Sequence, residues 1–170
     1  MYRTLMITSA VALLAACATP SGPAANAQLQ PTRGNSTSGE VRFVQQGETV
    51  RVSGEVRGLK PNGEHGFHIH ERGDCSSGDG MSTGGHYNPG GHRHGAYGRG
   101  EHHVGDLPSL KADADGVARF AFESSSIAVG SGRNDIVGHG LIVHRDPDDY
   151  TTQPTGNSGP RLACAVITRQ

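Results

Sequence analysis

The sequence predicts an all-β domain, an eight-stranded Greek-key barrel or sandwich carrying two long functional loops, and three observations support this. Glycine supplies 26 of the 170 residues, about twice its usual ~7% share, which favours short strands joined by many turns. From residue 27 onward the apolar residues recur with period two rather than 3.6. No segment carries the spacing of a long amphipathic helix. The length suits one domain with a sizeable core rather than two.

Residues 1–17 read as an address. Arg3 gives a positive start, Leu5 to Ala16 is a largely apolar run, and small residues follow, as in an exported leader. The run is too short to span a bilayer. Leu14-Ala15-Ala16-Cys17 resembles a bacterial lipobox, in which the cysteine becomes the lipidated first residue of the mature chain; ordinary cleavage after Ala18 is the alternative. The chain has three cysteines, so lipidation of Cys17 leaves Cys75 and Cys164 free to pair in an oxidising compartment. Residues 18–26, rich in Ala, Pro, Ser and Gly, read as a flexible tether. The expected location is therefore the periplasmic side of a bacterial membrane, with the chain anchored through Cys17.

The domain is expected over 27–170. Val41 and Phe43, then Val50 and Val52, alternate with polar residues around Gly47-Glu48, as a hairpin with one buried face requires. Phe120 and Phe122 repeat the pattern after the turn signal Asp115-Gly116. Strands are expected at 27–32, 40–46, 49–57, 65–71, 105–111, 117–123, 139–144 and 162–168. The glycine-rich stretch 74–100 and the polar stretch 145–160, with its three prolines, read as long loops. Fifteen basic against 16 acidic residues, a formal net charge of −1, leave no electrostatic footprint for nucleic acid.

All ten histidines fall between His65 and His144, which points to a site rather than to general composition. His68 and His70 are two apart on an expected strand, so they face one side and can converge on a metal. His86, His94, His103 and Asp106 offer three imidazoles and a carboxylate, a closed set that suits zinc. His144 ends the apolar run Leu141-Ile142-Val143 and can add a further ligand to the His68/His70 metal.

Two segments resemble a known family. Gly66-Phe67-His68-Ile69-His70-Glu71-Arg72-Gly73-Asp74-Cys75 is similar to the copper-binding strand of the copper/zinc superoxide dismutases. Gly156-Asn157-Ser158-Gly159-Pro160-Arg161-Leu162-Ala163-Cys164 is similar to their active-site arginine and disulfide segment. The resemblance implies copper on His68, His70, His86 and His144, and zinc on His94, His103, Asp106 and a bridging His86. It also implies a Cys75–Cys164 disulfide, and Asp148 as the carboxylate that hydrogen-bonds a ligand histidine of each metal. His92 and His102 stand beside His94 and His103 as competing donors, and the family spacing favours the latter pair. His65 and His139 match no ligand position and are expected to be structural.

The implied reaction is the dismutation of superoxide to dioxygen and hydrogen peroxide by a redox-cycling copper bridged through His86 to a structural zinc. Arg161 would dock the anion and His86 would carry a proton. Asp146, Asp148 and Asp149, in a loop without lysine, would work against electrostatic steering of an anion. The alternative is a lipid-anchored copper/zinc-binding protein without catalysis, which has no use for Arg161. Expected partners are superoxide, a membrane through Cys17 and, left open, a second copy in a homodimer.

Overall fold

A computed structural model describes residues 22–170, so the leader, Cys17 and the first part of the expected tether lie outside the described residues. Ten strand segments make the framework: β1 (Ala24–Pro31), β2 (Ser38–Gln46), β3 (Thr49–Arg57), β4 (Glu64–His65), β5 (Phe67–His70), β6 (Leu110–Lys111), β7 (Ala118–Ser124), β8 (Gly140–His144), β9 (Arg161–Val166) and β10 (Thr168–Arg169). The main sheet runs β5-β8-β9-β1-β2-β3-β7, with β10 pairing β1, and β4 pairs β6 separately. The only helical element among the described residues is a 3-10 turn, Met81–Thr83.

The hairpin expected around Gly47 is the β2–β3 pair, in register from Ser38↔Arg57 to Gln46↔Thr49. Gly47 holds φ at +61°, a left-handed value that glycine adopts without Cβ strain. Val41, Phe43, Val50, Val52 and Val56 are fully buried, and Phe122 and Phe120 of β7 face Val52 and Gly54 across the next ladder. Alternation therefore does here what period two predicts.

Three departures from the expected strands have local causes. The first strand starts at Ala24, where Ala24 to Asn26 pair with Val44 to Arg42, so part of the expected tether belongs to the sheet. The strand at 65–71 is split at Gly66, whose N–H donates to Asp146 and whose carbonyl accepts from His144. The segment 105–111 keeps only Leu110–Lys111 as strand, because Gly105 and Asp106 turn toward His68, Ile69 and Tyr87.

The arrangement of β5, β8 and β9 positions the site. Phe67 and Ile69, Leu141 and Val143, and Ala163 and Ala165 all point into the hydrophobic core. The intervening residues therefore face the other side of the sheet: His68 pairs with Ile142, and Ile142 with Cys164. That side is roofed by the 71–109 and 145–160 loops, so both faces of β8 are buried.

Cys75 and Cys164 form a disulfide across a sequence separation of 89 residues. It ties the 71–109 loop to β9 three residues from Arg161. Replacing both cysteines by serine is expected to lower unfolding stability by about 4 to 5 kcal/mol on chain-entropy grounds. Denaturant titration of the double variant checks this; an unchanged midpoint would refute it.

Candidate metal centre

The strand period sets the first pair of donors and the loops bring the rest. His68 and His70 are buried on β5, and His144 is buried at the end of β8, where the register shifts after Val143. His86, His94, His103 and Asp106 come from the loop, and all four are buried. Bridges between His70 and His86 and between His68 and Asp106 fasten that loop to β5.

Two groups of four result, one of His68, His70, His86 and His144, the other of His86, His94, His103 and Asp106. Within each, one ligand atom per residue lies within 4.8 Å of the others, and His86 belongs to both. His70 Nε2 and His144 Nε2 are 3.4 Å apart. On the other side of His86, its Nδ1 is 2.8 Å from Asp106 Oδ1 and 3.4 Å from His103 Nδ1.

Four of the six imidazoles, His68, His70, His94 and His144, are aimed by the nitrogen they do not turn inward. His70 Nδ1 donates to the Gly84 carbonyl at 2.9 Å, and His144 Nδ1 to that of Gly159 at 3.2 Å. His68 Nε2 donates to Asp148 Oδ2 at 3.0 Å, and His94 Nε2 to Asp148 Oδ1 at 3.1 Å. One buried carboxylate thus sets a ring in each group, which fixes tautomer and orientation as such partners do for metal ligands. Ser158 Oγ supports Asp148 with a hydrogen bond of 3.2 Å.

The nitrogens left over are the test of whether metals fit. His68 Nδ1, His86 Nε2 and His94 Nδ1 are buried without a hydrogen-bond partner. His94 Nδ1 lies 3.1 Å from Asp106 Oδ2, close but out of line for a shared proton. Buried polar atoms without partners are rare and costly, and here three of them converge on the two groups. Cations at the two centres would satisfy all three.

The electrostatics of the two groups differ. Burial, followed by neighbouring histidines and Arg161, holds His70 and His144 well below the ordinary imidazole value. Burial also lowers His86 to about 4, against the opposing hydrogen bond to Asp106. For His94, burial works downward but the two adjacent carboxylates, Asp106 beside Nδ1 and Asp148 hydrogen-bonded to Nε2, prevail and raise it to about 10. Asp106 and Asp148 remain ionised because hydrogen bonds from the histidines outweigh the upward push of burial. The first group therefore offers the neutral lone pairs of His70, His86 and His144, whereas the second is built around the ionised Asp106 carboxylate, a donor suited to a cation.

These shifts give the metal-free protein a stability maximum near neutral pH. Between about pH 4 and 6.5 the unfolded chain binds protons that His70, His86 and His144 resist in the fold, so acidification destabilises. The contribution of His94 is complete below 6.5 and is lost as pH rises toward 10. A melting series on metal-free protein from pH 4 to 10 is expected to peak between these limbs; a monotonic profile would contradict it.

Arg161 starts β9 and is half-buried beside the first group. Its Nη1 donates to the Gly80 carbonyl and to Thr83 Oγ1 at 2.7 Å, and its Nη2 to the Gly84 carbonyl at 2.7 Å. Gly84 thus carries both Arg161 and His70. Three of the five guanidinium N–H donors are used by the protein, which leaves two for an anion.

The copper/zinc superoxide dismutase (SODC) family model matches residues 37–167. The chain belongs to the copper/zinc superoxide dismutase family. It is 42% identical over 135 residues to the Cu-Zn superoxide dismutase of Paramecium bursaria Chlorella virus 1, covering 76% of this chain and 71% of that protein. A solved structure described as the clock protein EA4 superposes with a TM-score of 0.79 at 38% identity, over 93% of this chain and all of that one. Membership of the superoxide dismutase family makes the chain an enzyme of superoxide dismutation with copper and zinc as cofactors, and both four-donor groups can hold a metal.

Within this copper/zinc dismutase, His94 and His103 are buried donors, whereas His92 is exposed and His102 half-buried outside both groups. His65 Nδ1 donates to the His144 carbonyl at 2.9 Å and His139 Nδ1 to that of Glu71 at 2.8 Å. The carboxylates expected to repel an anion are engaged: Asp148 with the histidines, Asp146 with Arg145, and Asp149 with Thr151 and Thr152. Sequence reasoning missed Thr83, Gly84, Ser158 and Gln153. The last brackets His94, accepting its N–H at 3.0 Å and donating to its carbonyl at 2.9 Å. Hydroxyls, amides and carbonyls of this kind carry no spacing signal.

Proposed function

We propose that copper is held by His68, His70, His86 and His144, and zinc by His86, His94, His103 and Asp106, with His86 between them. The observation that carries this reading is the sharing of buried His86 by two four-donor groups with Arg161 at the edge of one. Four imidazoles suit a copper that must change oxidation state, while three imidazoles and a carboxylate suit zinc. When bound, copper supplies a one-electron couple and zinc a redox-silent cation.

The chain's own residues then do the following. Arg161 holds the superoxide anion with its two unspent donors, a forked grip that lysine does not reproduce. The first superoxide gives up an electron and leaves as dioxygen. The second accepts an electron and two protons and leaves as hydrogen peroxide. His86, whose Nε2 is buried without a hydrogen-bond partner, would carry one of those protons at that atom between the half-reactions and pass it to the departing peroxide. Asp148 keeps His68 and His94 aimed throughout.

The test is superoxide decay by stopped flow on the chain from Ala18 to Gln170, with copper and zinc measured on the same sample. About one of each metal per chain with rapid, chelator-sensitive decay is expected. Full occupancy with decay at the buffer rate would instead support a metal-binding protein without catalysis.

Export and lipid anchoring are part of the same proposal. The leader-like residues 1–17 and lipobox-like Leu14 to Cys17 support it, as does a disulfide, which persists in oxidising compartments. Cys17→Ser is expected to shift the protein from membrane to soluble fractions of a bacterial host; unchanged partition would remove the anchor.

A further inference from the structure

Thr83 ends the 3-10 turn Met81–Thr83 and is fully buried, although its side chain is polar and belongs to neither donor group. Buried polar atoms are hydrogen-bonded, and this hydroxyl is used twice. It donates to the Gly80 carbonyl at 2.9 Å and accepts from Arg161 Nη1 at 2.7 Å. Its hydrogen is committed to Gly80, so an oxygen lone pair faces the guanidinium.

The side chain is held in that orientation from behind. A Cβ at Gly140 of β8 would come within 2.9 Å of Thr83 Cγ2 and 3.1 Å of its Cβ, so the methyl packs on bare backbone. The Thr83 N–H donates to the Gly80 carbonyl at 3.2 Å, and the Thr83 carbonyl accepts from the Arg72 N–H at 3.0 Å. A β-branched residue fixed at backbone and methyl has little χ1 freedom left. Gly80 is close to the arginine itself, since a Cβ there would lie 3.2 Å from Arg161 Cδ, so the aliphatic stem runs along the turn.

Counting hydrogens shows what the hydroxyl adds. Nη1 has two and meets two acceptors, the Gly80 carbonyl and Thr83 Oγ1. Nη2 gives one to the Gly84 carbonyl, which also accepts from His70 Nδ1 and so sets the guanidinium beside the first donor group. The Nε hydrogen and the second Nη2 hydrogen remain. They run parallel along one edge of the planar group, the edge that can grip both oxygens of an anion. Without the Thr83 hydroxyl, Nη1 keeps a spare hydrogen and the plane loses one of its three anchors.

We propose that Thr83 is a positioning residue for superoxide: its hydroxyl takes up Nη1 of Arg161 and thereby leaves the Nε–Nη2 edge as the single fork that meets the anion. This rests on the reading of Arg161 as the anion dock. Thr83 touches neither substrate nor metal and acts only through the guanidinium.

The test uses copper- and zinc-loaded protein with azide, an anion that docks without being dismutated. Azide affinity is read from the copper absorption, and superoxide decay by stopped flow on the same samples. Thr83→Val keeps the shape and removes the hydroxyl. It is expected to retain both metals and to lose about three- to tenfold in azide affinity and in decay rate, the scale of one net hydrogen bond. Thr83→Ser, which restores the hydroxyl, is expected to recover most of both. Should Thr83→Val fail to fold, Thr83→Ser against Thr83→Ala makes the same comparison, since these two differ by the hydroxyl alone. Equal azide affinity in Thr83→Val and the parent, or an equal loss in Thr83→Ser and Thr83→Val, would overturn the proposal and leave Thr83 as packing against Gly140. Arg161→Ala separates the two readings: if it lowers both quantities while Thr83→Val lowers neither, only the role of Thr83 falls. If Arg161→Ala lowers neither, the docking reading falls and takes the role of Thr83 with it.

Discussion

Arg161→Ala is expected to leave copper and zinc content unchanged while lowering the second-order rate of superoxide decay by about tenfold or more. The guanidinium is not a metal ligand, so the donor groups survive its loss. What disappears is the pair of N–H donors that remain after Gly80, Thr83 and Gly84 have taken theirs. Arg161→Lys should recover little, because a lysine ammonium brings charge without the planar fork. Stopped-flow decay with metal analysis on the same samples decides the matter. A rate equal to the parent at full metal content would remove the docking role. A loss of metal would show that Arg161 acts mainly by holding the Gly80 to Gly84 segment against His70.

Asp148→Asn is expected to weaken both metals, by about 10- to 100-fold in affinity. The carboxylate accepts from His68 on one oxygen and from His94 on the other. An asparagine of the same size accepts on only one, and its amide would donate where an imidazole N–H also donates. One ring must then change tautomer or turn away, and with it goes the aim of Nδ1. Competition with a chelator, read separately for copper and zinc, measures the effect. Retained affinity for both would mean that the loop backbone, and not Asp148, sets the rings. The choice of Asn keeps volume nearly constant at a buried position, so collapse of the fold does not confound the outcome.

Much of this is legible in the amino-acid order. Period two places Phe67 and Ile69 opposite His68 and His70, and this division between core and site holds in β5. The clustered donors His86, His94, His103, Asp106 and His144, and Arg161 of the family-like segment 156–164, are brought to one place by the fold. The extent of the 105–111 strand is not legible, because Gly105 and Asp106 hydrogen-bond toward β5 and Tyr87 rather than along a ladder. Nor is the start of the first strand, where Ala24 to Asn26 look like linker in composition but are paired by β2 and β10. The partners that aim the rings are also hidden. A backbone carbonyl such as Gly84 or Gly159 is present at every residue, so only geometry shows which one matters.

The amino-acid sequence by itself determined the all-β class, the residue types able to bind two metals, and the family, because alternation, donor chemistry and long local motifs are written in order along the chain. Tertiary structure decided which histidines point inward. Only the family spacing separates His94 from His92 in the sequence, and the structure gives the physical difference: His94 is buried against two carboxylates, while His92 lies on Gly90 beside Glu101. That choice depends on how a long loop closes over the β5-β8-β9 sheet, with contacts such as His94 to Asp148 spanning 54 residues. Contacts of that range are formed by packing, and no local pattern encodes them.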